Sequence, residues 1–156
     1  MVTGPIQQPS TVAGAVRPPA ARQPRPSFLG DVHALARAFA APAGEPRWRE
    51  GLILHLSPVR RGFAEHVRVT EGPTGLYAAL IHEAPRLDRG VRRLTVEHTA
   101  ITATIAALQQ AATLPAVPAE ELRERVGRLL EALDRHRRRG ADLLWEAYQA
   151  DLGGED

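Results

Sequence analysis

The chain has 156 residues and a net charge of +2, and 44% of its residues are hydrophobic but only 4% aromatic. It contains no cysteine, which excludes disulfide bonds and thiolate metal sites, and no apolar run approaches the ~20 residues that a membrane-spanning helix needs. All 20 lysine or arginine residues are arginine, a usage that we attribute to GC-rich codons rather than to nucleic-acid binding. Because the N-terminus also lacks the apolar segment of a signal peptide, we expect a cytoplasmic protein that binds neither nucleic acid nor membrane.

The first 26 residues differ in composition from the rest of the chain. They contain six prolines, scattered among Gln, Ser, Thr and Gly residues. Such a segment buries too little apolar surface to offset the conformational entropy that folding would cost it. We therefore predict a disordered tail over residues 1–26 and a single folded domain over residues 27–156.

From Ser27 onward, apolar residues recur every three or four positions, which is typical of amphipathic helices. A core rich in Ala and Leu and poor in aromatic residues also favours helices over sheets. Proline at position 58 removes a backbone donor inside one of these segments and predicts a kink or a restart there. Long helices are predicted over 28–41, 47–71, 86–112 and 118–149, with a short helical segment over 76–83.

Short proline- and glycine-containing connections between these helices imply antiparallel neighbours. The predicted fold is therefore all-α, an antiparallel up-down-up-down four-helix bundle. The two C-terminal long helices have the most regular core stripes. These stripes are Leu87, Val91, Leu94, His98, Ile101, Ile105, Leu108 and Ala112 in one helix, and Leu122, Val126, Leu129, Leu133, His136, Gly140, Leu143 and Ala147 in the other.

Histidines occupy core positions on several of these helices. His66, His98 and His136 each lie on the core stripe of a different helix, and His33 lies at the edge of the stripe of the first. A buried imidazole without a hydrogen-bond partner costs about 1–3 kcal/mol, and the neighbouring apolar side chains offer none. Imidazole is the commonest protein metal ligand, and facing helices of a bundle are where such sites are built. A shared metal ion is therefore one hypothesis, and hydrogen-bonded core histidines are the alternative.

The distance of each histidine from the connecting turns gives a check on convergence. At about 1.5 Å per residue, His98 and His136 lie at depths that agree to about 5 Å, whereas His33 fits least well. His55 lies 11 residues before His66, roughly 16 Å along the helix, and cannot bind the same ion. His82 follows a helix break and is expected to be exposed.

The arrangement of these histidines, together with nearby carboxylates, resembles the hemerythrin-like, or HHE cation-binding, domains over roughly residues 28–148. The segments that are similar to the family's recurring signature are Phe63-x-x-His66, Leu76-Tyr77 and Glu97-His98. The resemblance implies a four-helix bundle that holds non-haem iron and serves in oxygen or redox-related binding or sensing. The metal ligands that it implies are His33, His66, Glu71, His98 and His136.

The chain departs from the family pattern at positions that would bind a second ion. Family members usually have a carboxylate four or five residues after the histidine of the last helix, where this chain has Gly140 and Ala141. They often have a second histidine one turn after the first on the preceding helix, where this chain has Thr102. These changes predict a site with a reduced set of ligands, which holds at most one divalent ion. Dioxygen is a further candidate ligand. The alternative is a metal-free helical bundle that acts as a structural or protein-interaction module.

Two other features bear on function. The basic run from Arg135 to Arg139 surrounds His136, but acidic residues accompany it, and we interpret it as a solvated helix face. Serine is scarce, and no nucleophile lies in a recognisable setting. We therefore expect a binding protein rather than an enzyme.

Overall fold

The computed structural model describes residues 27–151, with side chains up to residue 149. The predicted N-terminal tail and the last residues of the predicted domain lie outside this range. Within it the chain forms helices and no β-strand, which confirms the all-α prediction. The helices are α1 (Phe28–Ala40), α2 (Trp48–Glu71), α3 (Leu76–Glu83), α4 (Asp88–Thr113) and α5 (Ala119–Asp151), with a 3-10 turn at Pro85–Leu87.

The four long helices form the predicted antiparallel bundle. Helix α1 packs on α2, α2 on α4, α4 on α5, and α5 returns to α1. The short helix α3 contacts both α2 and α4, the two helices that it connects. None of the helices within residues 27–151 has the combination of length and apolar character that crossing a membrane requires.

Local sequence explains where α1 begins, and packing explains why α2 continues through a proline. The Ser27 hydroxyl accepts a hydrogen bond from the backbone N–H of Gly30 at 3.1 Å, an N-cap that starts α1. Helix α2 continues through Pro58 as one helix, so the restart that was one of the two expected outcomes does not occur. Its apolar face is buried on both sides of the proline, at Leu56 and Val59, and this packing holds the helix together.

The apolar core divides into two clusters. The larger cluster includes Leu35, Phe63, Ile101 and Leu133, and extends toward the end of the bundle where α4 is joined to α5. The smaller cluster lies around α3 and consists of Tyr77, Leu80, Ala84, Leu87, Val91, Leu94 and Leu143. The boundary between them lies at the level of the core histidines.

His98 shows this boundary most clearly. Leu94, one turn before it on α4, belongs to the smaller cluster, and Ile101, one turn after it, belongs to the larger. On α5, Leu133 before His136 belongs to the larger cluster and Leu143 beyond it to the smaller. The histidines therefore form a polar layer across the bundle, with apolar packing above and below.

Candidate metal centre

Three histidines from three helices converge in this layer. His66 comes from α2, His98 from α4 and His136 from α5, and their Nε2 atoms face one another. The Nε2–Nε2 distances are 3.2 Å between His66 and His98, 3.1 Å between His98 and His136, and 3.3 Å between His66 and His136. His98 is 1% and His136 7% exposed, and His66 is partly buried. The predicted convergence of these three residues is confirmed.

The triangle of nitrogens matches the spacing of ligands around one metal ion. An ion at the usual metal–imidazole distance of about 2.0–2.1 Å from all three nitrogens would subtend N–metal–N angles of about 100°. That value lies between the tetrahedral angle and the angle of one face of an octahedron. Within residues 27–149, these three histidines form the one group of His, Cys, Asp or Glu ligand atoms close enough together to hold an ion. The three histidines could hold a metal, with further coordination positions open.

Two carboxylates fix the orientation of two of the rings. The Nδ1–H of His98 donates to Oε1 of Glu71 at 2.5 Å, and the Nδ1–H of His136 donates to Oε2 of Glu97 at 2.9 Å. A carboxylate accepts hydrogen bonds, so each Nδ1 carries the hydrogen and each Nε2 of the neutral ring presents a lone pair. Carboxylate–histidine pairs of this kind orient metal-binding imidazoles and increase their basicity.

The contact between His98 and His136 depends on which nitrogens carry hydrogen. Their Nε2 atoms lie 3.1 Å apart, and two neutral rings with these tautomers supply no hydrogen to that contact. Two lone pairs at hydrogen-bond distance repel each other unless a cation or a proton lies between them. A metal ion at the centre of the triangle removes this repulsion for all three rings at once.

The surroundings of His66 and His98 disfavour protonation of these two rings in the absence of metal. Burial, together with the neighbouring His98 and His136, lowers the pKa of His66 to about 4. Burial also lowers the pKa of His98, although its hydrogen bond to Glu71 opposes the shift. These two rings are therefore neutral near pH 7, with lone pairs available to a metal.

Glu97 is held by a second partner. Burial by itself would raise the pKa of Glu97, but hydrogen bonds from His136 and Arg139 outweigh burial and lower it. Arg139 donates from Nη1 to Oε1, the carboxylate oxygen that His136 does not contact. The other arginines of the 135–139 run pair with Glu131 and Asp134 on α5 itself, as the solvated-face interpretation expects.

Phe63 packs against the three rings on the side of the layer that faces the larger apolar cluster. Its ring centroid lies 5.7 Å from those of His66 and His98 and 6.0 Å from that of His136. Phe63 is only 1% exposed and contacts all three rings, so it fixes their positions relative to one another.

On the side that faces the smaller cluster, a tyrosine and a cleft lie beside the rings. The Tyr77 hydroxyl lies 3.4 Å from Nε2 of His98, and the two rings stack with an interplanar angle of 12°. Burial raises the pKa of Tyr77 to about 12, despite an opposing hydrogen bond with Thr70. A cleft of about 290 Å³ on this side is lined by His66 and His136, together with Tyr77, Gly140 and several leucines.

His33 does not join the three histidines. It is exposed on the rim of a second cleft, of about 550 Å³, between α1 and α5. The buried residue of α1 is Leu35, which stands about 200° around the helix from His33. Val32 and Phe39 pack beside Leu35 against the larger cluster, whereas Leu29 is 50% exposed, so the core face of α1 is centred on Leu35 and His33 lies outside it.

Glu71 also has a different role from the one expected. Its carboxylate contacts Nδ1 of His98, on the far side of the ring from the triangle, so it orients a ligand instead of joining the group. Glu97 and Tyr77 were part of the sequence signature but were not predicted as site residues. His55 is partly buried and outside the cluster, and His82 is exposed, as expected.

Comparisons with protein-family models, with curated proteins and with solved structures gave no match to this chain.

Proposed function

We propose that this chain is a hemerythrin-like domain that binds one non-haem iron ion through Nε2 of His66, His98 and His136. Its role would be the binding or sensing of oxygen or redox state rather than catalytic turnover. The observation that supports this most strongly is the His98–His136 contact. Two carboxylates hold both rings so that their lone pairs meet at 3.1 Å, an arrangement that a cation stabilises.

The donor set is compatible with iron. Imidazole nitrogens suit iron, zinc, copper and nickel, and the chain has no cysteine that would favour thiolate chemistry. Three ligands on one face leave coordination positions for a small molecule such as dioxygen. The choice of iron among these metals, and the hemerythrin-like assignment itself, derive from the sequence resemblance.

A single ion is proposed because groups that would bind a second one are missing or already engaged. Thr102, at the position of a second histidine, is exposed, and Gly140 and Ala141 line the cleft without offering a ligand. Glu71 and Glu97 each bond to an imidazole Nδ1.

Metal content and thermal melting of the protein, purified without chelator, test the proposal. We expect one ion per chain and a melting temperature that rises on addition of ferrous iron without oxygen. An ion that binds only the folded state stabilises it by about 2.7 kcal/mol when free iron exceeds Kd a hundredfold. His98→Leu keeps a buried side chain between Leu94 and Ile101 and should abolish both the binding and the shift. His55→Leu is the matched control on α2 and should change neither.

Two outcomes would contradict the proposal. If the wild-type chain holds no metal and melts at the same temperature with and without ferrous iron, the metal-free interaction bundle is the better account. If two ions bind per chain, the site contains a carboxylate ligand that the one-ion proposal leaves out.

A further inference from the structure

Tyr77 is brought to the histidine layer by an unusually tight turn. A Cβ atom on Gly75 would lie 2.6 Å from the carbonyl oxygen of Val69 and 2.7 Å from that of Thr70, so the turn at this point admits only glycine. It folds α3 back against the C-terminal end of α2. Two residues later the Tyr77 side chain enters the core, where it is 7% exposed.

The Tyr77 hydroxyl lies at ligand spacing from one of the three imidazole nitrogens. It is 3.4 Å from Nε2 of His98, close to the 3.1–3.3 Å that separates the three imidazole nitrogens from one another. Two ligand atoms about 2.0–2.1 Å from one tetrahedral ion lie about 3.3 Å apart. The same distance is long for a hydrogen bond from a hydroxyl group to nitrogen.

The environment of Tyr77 restricts it to this position. Its ring stacks on that of His98, with centroids 5.7 Å apart, and packs within the smaller apolar cluster. The adjacent cleft is lined by Gly140 and several leucines, which offer no other anionic group that could bind an ion from this side of the layer. The carboxylates of Glu71 and Glu97 are engaged with Nδ1 atoms.

We infer that the phenolate oxygen of Tyr77 is the fourth ligand of the ion, an inference that rests on the proposed metal-binding function. On coordination the phenol O–H bond breaks, an oxygen–metal bond forms, and the proton leaves to solvent through the cleft. No electron is transferred in this step. Because phenolate is a hard, anionic ligand, its addition to three neutral imidazoles favours ferric over ferrous iron.

Ferric iron supplied as its nitrilotriacetate chelate tests this inference by absorption spectroscopy. A phenolate bound to ferric iron gives a charge-transfer band in the visible region. We expect this band in the wild-type protein and its complete loss in Tyr77→Phe, which keeps the buried ring and removes only the oxygen. Tyr148→Phe is the matched control, because Tyr148 is the other of the two tyrosines and is 68% exposed. That variant should keep the band.

Metal analysis of the same samples separates this inference from the proposed function. Tyr77→Phe should still retain one ion per chain on its three histidines, with an unchanged far-ultraviolet circular dichroism spectrum. If the wild-type protein binds ferric iron without the band, or if Tyr77→Phe keeps the band, Tyr77 is not a ligand although the histidine site stands. If the wild-type protein binds no iron at all, both the histidine site and the tyrosine ligand are refuted.

Discussion

The two sides of the histidine layer are built from different kinds of residue. On one side, one turn from each histidine, lie Phe63, Ile101 and Leu133, which belong to the larger apolar cluster. On the other side, the corresponding positions are Thr70, Leu94 and Gly140. Large apolar side chains therefore fill the first side, and a hydroxyl group, a leucine and an open space occupy the second.

This difference separates two tasks within one site. The Phe63 side holds three imidazole rings in a fixed triangle by packing against all of them. The Tyr77 side offers the phenol and the cleft of about 290 Å³, and the larger cleft between α1 and α5 also reaches His66 and His136. Large-to-small changes on the first side should therefore cost more stability than changes on the second.

The largest effect is expected for Phe63→Ala. Removing a buried phenylalanine costs about 3–5 kcal/mol, because the transfer free energy of the ring is lost and a cavity remains. Urea unfolding followed by circular dichroism measures the change. Phe39→Ala is the control, since Phe39 also packs on the larger cluster but is only partly buried, and it should cost less. Equal losses for the two variants would show that Phe63 has no special part in packing the layer.

An intermediate effect is expected from acidification of the metal-free protein. The pKa of His66 falls from 6.5 to about 4 on folding, so between these values the unfolded chain binds more protons than the folded one. Stability from this group is fully present above pH 6.5 and is lost as the pH falls toward 4, by an amount on the order of 2 kcal/mol after allowance for its partial exposure. Urea unfolding at a series of pH values measures the slope.

A variant identifies the source of this slope. His66→Leu cannot be protonated and should flatten the decline between pH 6.5 and 4. The lowered pKa of Glu97 makes a separate contribution to stability, which is present above pH 4.5 and is lost as the pH falls below that value. If the wild-type protein is equally stable at pH 7 and pH 4.5, His66 is not held in its neutral form by the fold.

The sequence predicted those features that depend on periodicity along one helix. The stripes of α4 and α5 placed His98 and His136 in the core because the repeat of Leu and Ile residues around them is regular. His33 was misplaced because α1 is short, and its sequence allows two adjacent stripes that differ only by rotation. The packing of Leu35 against other helices decides between the two stripes. A local sequence pattern carries no information about that packing.

Contacts between helices account for the remaining differences. Glu71 and Glu97 come from different helices than the histidines they bond to, and the roles of these carboxylates depend on which side of each ring they reach. Tyr77 reaches His98 only because the turn before α3 is tight enough at Gly75. Such positions follow from the packing of helices against each other and from turn geometry, so sequence spacing gave the residues but not their partners.

The smallest effect is expected for Gly140→Ala, on the open side of the layer. Glycine in a helix interior costs about 0.8–1.0 kcal/mol relative to alanine, and a Cβ atom added at Gly140 would meet nothing within 4 Å. The variant should therefore gain roughly 0.5–1 kcal/mol in urea unfolding and bind the same single ion, because a methyl group is not a ligand. Gly90→Ala is the matched control: its Cβ atom would lie 2.5 Å from Cδ1 of Leu143, which must shift to admit it, so this variant should gain less. A loss of stability in Gly140→Ala would mean that the helix needs glycine there, and that the space beside the three histidines is not open.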